Sequence, residues 1–301
     1  MTSRFAWFVA LAGTLAACSA GAPAKTQEGT GGHLSVGGAT GSGAGPSSGG
    51  GLMLGMSGAP PDGGGDNPCK TTLNVTYRDF NEMHPDFERA FAGDVPRRGL
   101  VASTLGPDAK PVYQDNVGCP ALLSSPTACD NWTPTGAVIE SAATFAQWYN
   151  TVDSVNIELP KTLALTETPP GSGVYGYSST AFFPLGPTEG FGITPKNNDQ
   201  MENFLFTTEV HVLFGYVSGQ TFAFSGDDDL WIFVNGKLAL DLGSMHAEAD
   251  GTIDFDAQAT ALGIVPGNTY PMDIFHAERH TRASDFKVTT NIACFTPAGP
   301  K

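Results

Sequence analysis

From Phe204 the chain reads FLFTTEVHVLFGY, in which Phe204, Phe206, Val210, Val212, Phe214 and Tyr216 fall on one face and Thr207, Glu209 and His211 on the other. A period of two puts successive side chains on opposite sides of an extended backbone, so this run predicts a long strand with one buried face. Similar runs start at Leu73 (LNVTYRDF), Val155 (VNIELPKTLAL), Gln220 (QTFAF), Leu230 (LWIFV), Thr252 (TIDFD), Tyr270 (YPMDIFHAE) and Asp285 (DFKVTTNI), and Gly, Pro, Asn and Asp separate them. Only Ile139 to Tyr149 (IESAATFAQWY) has helical spacing. Many strands without an alternation of strand and helix predict an all-β sandwich or jelly roll with one short helix. Val234-Asn235-Gly236-Lys237 joins two of the runs and predicts a hairpin closed by a type I′ turn.

The first 67 residues follow a different pattern. Arg4 precedes an apolar run from Phe5 to Leu15, which is too short for a bilayer span of about 20 residues and suits a cleaved export signal. The run ends in Leu15-Ala16-Ala17-Cys18, which resembles a bacterial lipobox, where the cysteine receives a lipid and becomes the mature N-terminus. Ser19 after it implies sorting to an outer membrane in a host that has one. Residues 19–67 hold 17 of the 38 glycines and no Phe, Trp or Tyr, so this stretch has nothing with which to build a core and reads as a flexible tether. The expected organisation is therefore a signal peptide over 1–18, a linker over 19–67 and one domain over 68–301.

Charge and cysteines narrow the setting. Charged residues make up 15% of the chain, against about 25% in typical soluble domains. The net charge is -15, and only Arg4, Lys25, Glu28, Asp62 and Asp66 contribute before residue 68, so the domain itself is acidic. Such a surface repels phosphate backbones, and no nucleic-acid partner is expected. Apart from Cys18, four cysteines remain, an even number that suggests two disulfides in an exported chain. Cys69 opens the domain and Cys294 closes it, while Cys119 and Cys129 bracket a Pro-containing loop. Cys69 with Cys294 and Cys119 with Cys129 are the natural pairs among three pairings.

Three places concentrate polar groups that a sandwich does not need. Asp227, Asp228 and Asp229 stand together between two apolar strands; adjacent carboxylates repel unless water or a cation screens them, and oxygen-rich sites of this kind suit Ca²⁺. Asn235 in the Asn-Gly turn is either a turn residue or a further oxygen ligand. His276, Glu278 and His280 alternate in HAERH, and with His246 they bring three histidines within 35 positions. Those histidines could ligate a metal or ligand, or simply order the acidic loop.

These residues carry a resemblance. The run FAFSGDDDLWIFVNGKLALDLGSMHAEADGTIDFDA, with YPMDIFHAERHTRASDFKVTT after it and RDFNEMHPDFE and LVASTLGPDAKPVY before it, resembles the bacterial fibro-slime domain, a relative of the PA14 superfamily, over roughly residues 73 to 293. The resemblance implies a PA14-like β-sandwich. In the lectin-like branch of that superfamily a pair of aspartates joined by a cis peptide chelates Ca²⁺ with an Asn, and the ion grips vicinal sugar hydroxyls. Asp227 and Asp228 match the pair, and Asp229 departs from the usual Gly. Glu278 falls where a later strand ends.

The expectation is a lipid-anchored, cell-surface, Ca²⁺-dependent carbohydrate-binding module acting in adhesion or extracellular matrix, with a glycan or extracellular polysaccharide as partner. Its metal residues would be Asp227, Asp228, Asp229, Asn235 and Glu278, and its ligand-facing residues His246, His276, His280 and Trp231. Trp231 also reads as a core residue of LWIFV. The alternatives are a structural matrix protein whose cation only staples loops, and a glycoside hydrolase with Asp228 and Glu278 as its two carboxylates. A binding protein rather than an enzyme is expected.

Overall fold

The computed structural model describes residues 69–89, 95–120, 129, 136–195 and 199–298. The signal peptide, Cys18 and the linker lie outside the described residues. The strands are β1 (Thr72–Phe80), β2 (Arg97–Arg98), β3 (Cys119–Pro120), β4 (Asn156–Ala164), β5 (Thr166–Glu167), β6 (Tyr175–Ser179), β7 (Phe206–Gly215), β8 (Thr221–Gly226), β9 (Asp229–Val234), β10 (Lys237–Leu242), β11 (Ala249–Asp254), β12 (Thr269–Glu278), β13 (Phe286–Thr290) and β14 (Thr296–Pro297). Two helices, α1 (Ala142–Phe145) and α2 (Phe255–Leu262), complete the described elements.

The strands form an antiparallel sandwich, as the alternation predicts. The larger sheet runs β10-β9-β12-β7-β1-β4, with β14 also paired to β7, and the smaller runs β11-β8-β13-β6-β5. Even-numbered residues of β7 and β12, among them Phe206, Val210, Val212, Met272 and Ile274, point between the sheets and meet Phe222, Phe224, Phe286 and Val288 in the main core. β9 is buried at all six positions. Such a run implies cover on both faces, and a second core supplies it: Trp231, Phe233 and Phe275 point away from the sandwich interior and pack against Phe87, Leu100, Val138, Phe145 and Trp148 from the chain between β1 and β4, α1 included.

Turn chemistry agrees with the sequence at the hairpin. Val234 pairs with Lys237, and Asn235 and Gly236 have φ of 53° and 71°, the two left-handed positions that a type I′ turn requires. Both expected disulfides are present, Cys69 to Cys294 and Cys119 to Cys129, and the bridge pairing of Lys70 with Phe295 lies beside the first.

The helices differ from expectation. The helix predicted over Ile139 to Tyr149 contracts to α1, capped by Ser141, because Trp148 and Tyr149 leave the helical path to fill the second core. The eight-residue α2 was not expected. It begins where Asp254 accepts from the Ala257 amide and ends at Gly263 with φ of 70°, a pair of caps legible in DFDAQATALG.

Candidate functional site

Antiparallel pairing brings distant segments to one end of the sandwich. Gly226 at the end of β8 pairs with Ala249 and with Phe286, and Asp229 at the start of β9 pairs with Ala277, next to the end of β12. The aspartate turn, the loop 243–248 and the loop 279–285 therefore meet. Gly226 permits the contact: a Cβ there would stand 2.4 Å from the Asp285 carbonyl oxygen. Asp285 N–H donates to Asp227 Oδ1 at 2.6 Å, and Arg279 N–H donates to Asp228 Oδ2 at 2.7 Å. Asp228 has φ of 55°, a left-handed conformation that Asp tolerates better than most residues. Between these loops opens a cavity of about 540 Å³, lined by Asp227, Asp228, His246, His280, Arg282 and Asp285 among others.

The electrostatics favour positive charge here. Burial, reinforced by the neighbouring charges of Asp228 and Asp285, raises the Asp227 carboxyl to about 7 despite its hydrogen bond from Asp285. Burial also raises Asp228 to about 6, with the Asp229 charge adding and the Arg279 guanidinium opposing. Glu278, buried behind them, is pushed well above the usual carboxylate range by burial and then by Asp228 and Asp227. Several buried polar atoms around the cluster have no hydrogen-bond partner: Glu278 Oε2, Asp285 Oδ1, His276 Nε2 and Thr281 Oγ1. Such atoms cost about 1 to 3 kcal/mol each unless something satisfies them.

The other expected residues go elsewhere. Asp229 turns to the opposite face of the sheet, where its Oδ2 accepts from Arg279 Nε at 2.6 Å and its Oδ1 from the Ser244 amide at 2.6 Å. Both oxygens are committed, so Asp229 does not join the pair. Arg279 in turn donates to the Asp86 and Val138 carbonyls and lies over the Trp148 ring, 4.6 Å from its centroid. Asn235 is at the far end of β9, roughly 20 Å away at about 3.3 Å per residue. Its amide donates to the Leu262 and Gly263 carbonyls and caps α2, so it is not a ligand beside the aspartates.

Trp231 is fully buried and its indole N–H donates to Asp241 Oδ1, which rules out stacking on a sugar. His276 is likewise sealed in the core, next to Phe182, Phe206 and Phe286, and burial drives its imidazole down to about 3, leaving it neutral. Glu278, 1% exposed, stands behind the cavity wall rather than in it. Among the described residues the cis peptide is Thr168-Pro169, so the bond between Asp227 and Asp228 is trans, unlike the pair in the lectin-like branch.

Asp227, Asp228, His246 and His280, singled out from the sequence, line one cavity together with Asp285, Thr281 and Arg282, which the sequence did not single out. Asp285 was legible only as the first residue of a strand run, and nothing in spacing says that its amide and carboxyl face Asp227. Among the described residues, no group of three or more His, Cys, Asp or Glu side chains is arranged to hold a metal ion.

The segment that builds this end, from the close of β7 through β14, decides the family match. Residues 217–296 match the PA14 domain. The PA14 match thus contains Asp227, Asp228, His246, His280, Thr281, Arg282 and Asp285, every cavity residue named above. Among curated proteins, psiR of Dictyostelium discoideum is 33% identical over 234 residues, 74% of this chain and 21% of that protein. For psiF the figures are 34% over 227 residues, 69% and 30%, and for psiD 34% over 230 residues, 75% and 42%, both from the same organism. The chain therefore spans between about a fifth and two fifths of the length of these relatives, none of which is bacterial. Among solved structures, the PA14 domain of the MpAFP antifreeze protein aligns with 82% of this chain and 98% of its own at 8% identity and a TM-score of 0.28. The PA14 sugar-binding domain from an RTX adhesin aligns with 35% of this chain and 56% of its own at 11% identity and a TM-score of 0.21.

Proposed function

We propose that this protein is a cell-surface carbohydrate-binding module of the fibro-slime kind, that Ca²⁺ at Asp227 and Asp228 is part of its binding site, and that it acts in adhesion or extracellular matrix. The observation that carries the reading is the pair itself: two neighbouring carboxylates face an open cavity, and the nearest buried cation, Arg279, is already committed to Asp229. The donor set suits a hard cation. Asp227 and Asp228 would supply the charged oxygens, and backbone carbonyls and water complete such sites in other proteins. When bound, the ion would neutralise the pair and offer open positions to two adjacent hydroxyls of a sugar. His246 and His280 line the same cavity, with both ring nitrogens of His246 engaged, Nδ1 with the Ala247 carbonyl at 2.7 Å and Nε2 with the Leu242 carbonyl at 3.4 Å.

A glycan array probed with the full chain in 5 mM Ca²⁺ and again in EDTA tests this reading. Individual glycans that bind in Ca²⁺ and are lost both in EDTA and in Asp228→Asn support it. An array bare in both buffers, with Ca²⁺ still binding to the protein, transfers the function to the matrix reading, in which the ion staples loops. The glycosidase reading gains nothing from the geometry, because Glu278 does not reach the cavity where its partner Asp228 lies.

No helix among the described residues is long and apolar enough to cross a membrane. The surface attachment in this proposal rests on Cys18, at the lipobox-like LAAC. Cys18→Ser is expected to release the protein or leave an uncleaved precursor, as membrane fractionation reads directly; normal maturation into the membrane would remove the anchor from the account.

A further inference from the structure

The outer face of the larger sheet carries a second concavity, remote in sequence from the aspartate turn. It measures about 670 Å³ and lies over β1, β4 and β7 beside Pro297 and Ala298. Its floor follows from the strand pleat: Thr72, Asn74 and Thr76 alternate outward along β1, and Asn74 stands opposite Thr162 while Thr76 stands opposite Glu209. Asn74 and Thr162 are exposed, and the side chains of Asn74, Thr76 and Thr162 engage no hydrogen bond to another described residue.

The charged groups at its margin are already satisfied. Glu209, almost fully buried, accepts from Arg78 Nη1 at 2.5 Å, from Lys110 Nζ and from His211 Nε2 at 2.6 Å. His211 also bonds Asp273 through Nδ1 at 2.6 Å. Lys161 donates to the Pro184 carbonyl and to Glu189. A charged ligand would have to break one of these pairs and leave its partner uncompensated, whereas a neutral one leaves them intact. Pro160 and Pro297 supply small apolar surfaces beside the free hydroxyl and amide groups. Alternating hydroxyl and C–H surface is what a sugar presents, and the volume falls within the range of sites that hold small ligands.

The walls are also rigid. Nine consecutive residue pairs fix β1 against β4, and the Ala298 amide donates to the His211 carbonyl, tying the last strand to the rim.

We propose that this groove is a second binding site, for a neutral oligosaccharide, that needs no cation. Its position on an open sheet face, with Asn74, Thr76 and Thr162 as the recognising groups, makes it independent of Asp227 and Asp228. Two sites on one module would let a single copy bridge two glycan chains, or grip one chain twice with the gain that linkage brings.

The test uses the full chain in EDTA on an array of neutral oligosaccharides, with the double variant Asn74→Ala/Thr162→Ala and with Asp228→Asn. The expected result is binding in EDTA that Asp228→Asn retains and the double variant loses by tenfold or more. Both altered positions in the double variant are exposed, so its melting temperature should match the wild type; Thr162→Trp, which fills the groove instead of emptying it, should abolish the same binding. An array bare in EDTA, or EDTA binding that survives both groove variants, overturns the proposal. Binding seen only with Ca²⁺ and lost in Asp228→Asn supports the aspartate site alone and likewise overturns this one.

Discussion

Two clusters of carboxylates sit in this sandwich, and they have opposite electrostatics. At the end of the sheets, Asp227, Asp228 and Glu278 are buried next to one another and all three are raised, Asp227 to about 7 and Asp228 to about 6. On the outer face, burial would raise Glu209 as well, but the hydrogen bond from His211 and the charges of Arg78 and Lys110 outweigh it and pull Glu209 down to about 2. Burial lowers His211, but its hydrogen bonds to Asp273 and Glu209 outweigh this and hold it above its ordinary value. The difference is the supply of cations from the chain. Around Glu209 the fold delivers three basic side chains from three elements; around Asp227 the one buried guanidinium is spent on Asp229. A carboxylate cluster that the chain neutralises is structural, and one that it leaves raised is where an external cation has something to gain.

The largest way to probe this contrast is to remove the neutralised cluster's centre. Glu209→Ala leaves Arg78, which is 5% exposed, without its main partner. Breaking a buried pair from one side costs about 3 to 5 kcal/mol, and denaturant unfolding should register a loss of that order. A cost below about 1 kcal/mol would mean that the network contributes no more than a surface ion pair.

The pH dependence of the two clusters has opposite sign. Glu209 ionises more easily folded than unfolded, so its stabilisation is present above about 4.5 and is lost as pH falls toward 2. Asp227 and Asp228 hold protons more tightly folded than unfolded, so their contribution is full below about 4 and disappears as pH rises through 6 and 7. In EDTA, wild type should therefore lose about 4 kcal/mol between pH 5 and pH 7.5, and Asp227→Asn/Asp228→Asn should flatten that segment. Equal slopes in the two proteins would place the titration elsewhere.

Ca²⁺ should reverse the same loss. Taking a Kd of about 1 mM, within the range of extracellular modules, 10 mM ion gives about 1.4 kcal/mol by mass action and a melting shift of roughly 3 to 6 °C. Asp228→Asn should lose the shift. The smallest effect belongs to the residue that sequence reading placed wrongly. Asn235→Ala removes two hydrogen bonds to the end of α2, costs about 1 kcal/mol, and should keep the full Ca²⁺ response. Loss of that response in Asn235→Ala would contradict the geometry of β9.

The way the sequence misled at these positions is physical. Alternation in β7 predicted its faces correctly because one side of it stays polar, with Thr207, Glu209 and His211 outward. Gly226 to Asp229 looks like one acidic triplet, yet the β8 to β9 turn ends inside it: Asp227 and Asp228 belong to the turn, while Asp229 is the first residue of β9 and takes the strand's outer face. One residue of register separates a cavity carboxylate from a buried ion pair. Asn235 adjoins the aspartates in sequence but is divided from them by a whole strand. Trp231 and Glu278 were legible as polar or aromatic candidates, while the second core that hides Trp231 comes from segments more than 80 residues upstream, which no local pattern reports. The Cys69 to Cys294 pair was legible because it spans the domain's two ends, and the antiparallel meeting of those ends needs no other information.

Calorimetric titration of Ca²⁺ into the wild-type chain and into Asp228→Asn at pH 7.5 tests the central claim most directly. The account predicts saturable binding at one site in the wild type and none in the variant, with both proteins folded by circular dichroism. Equal heats in the two proteins, or no binding in either, would contradict it.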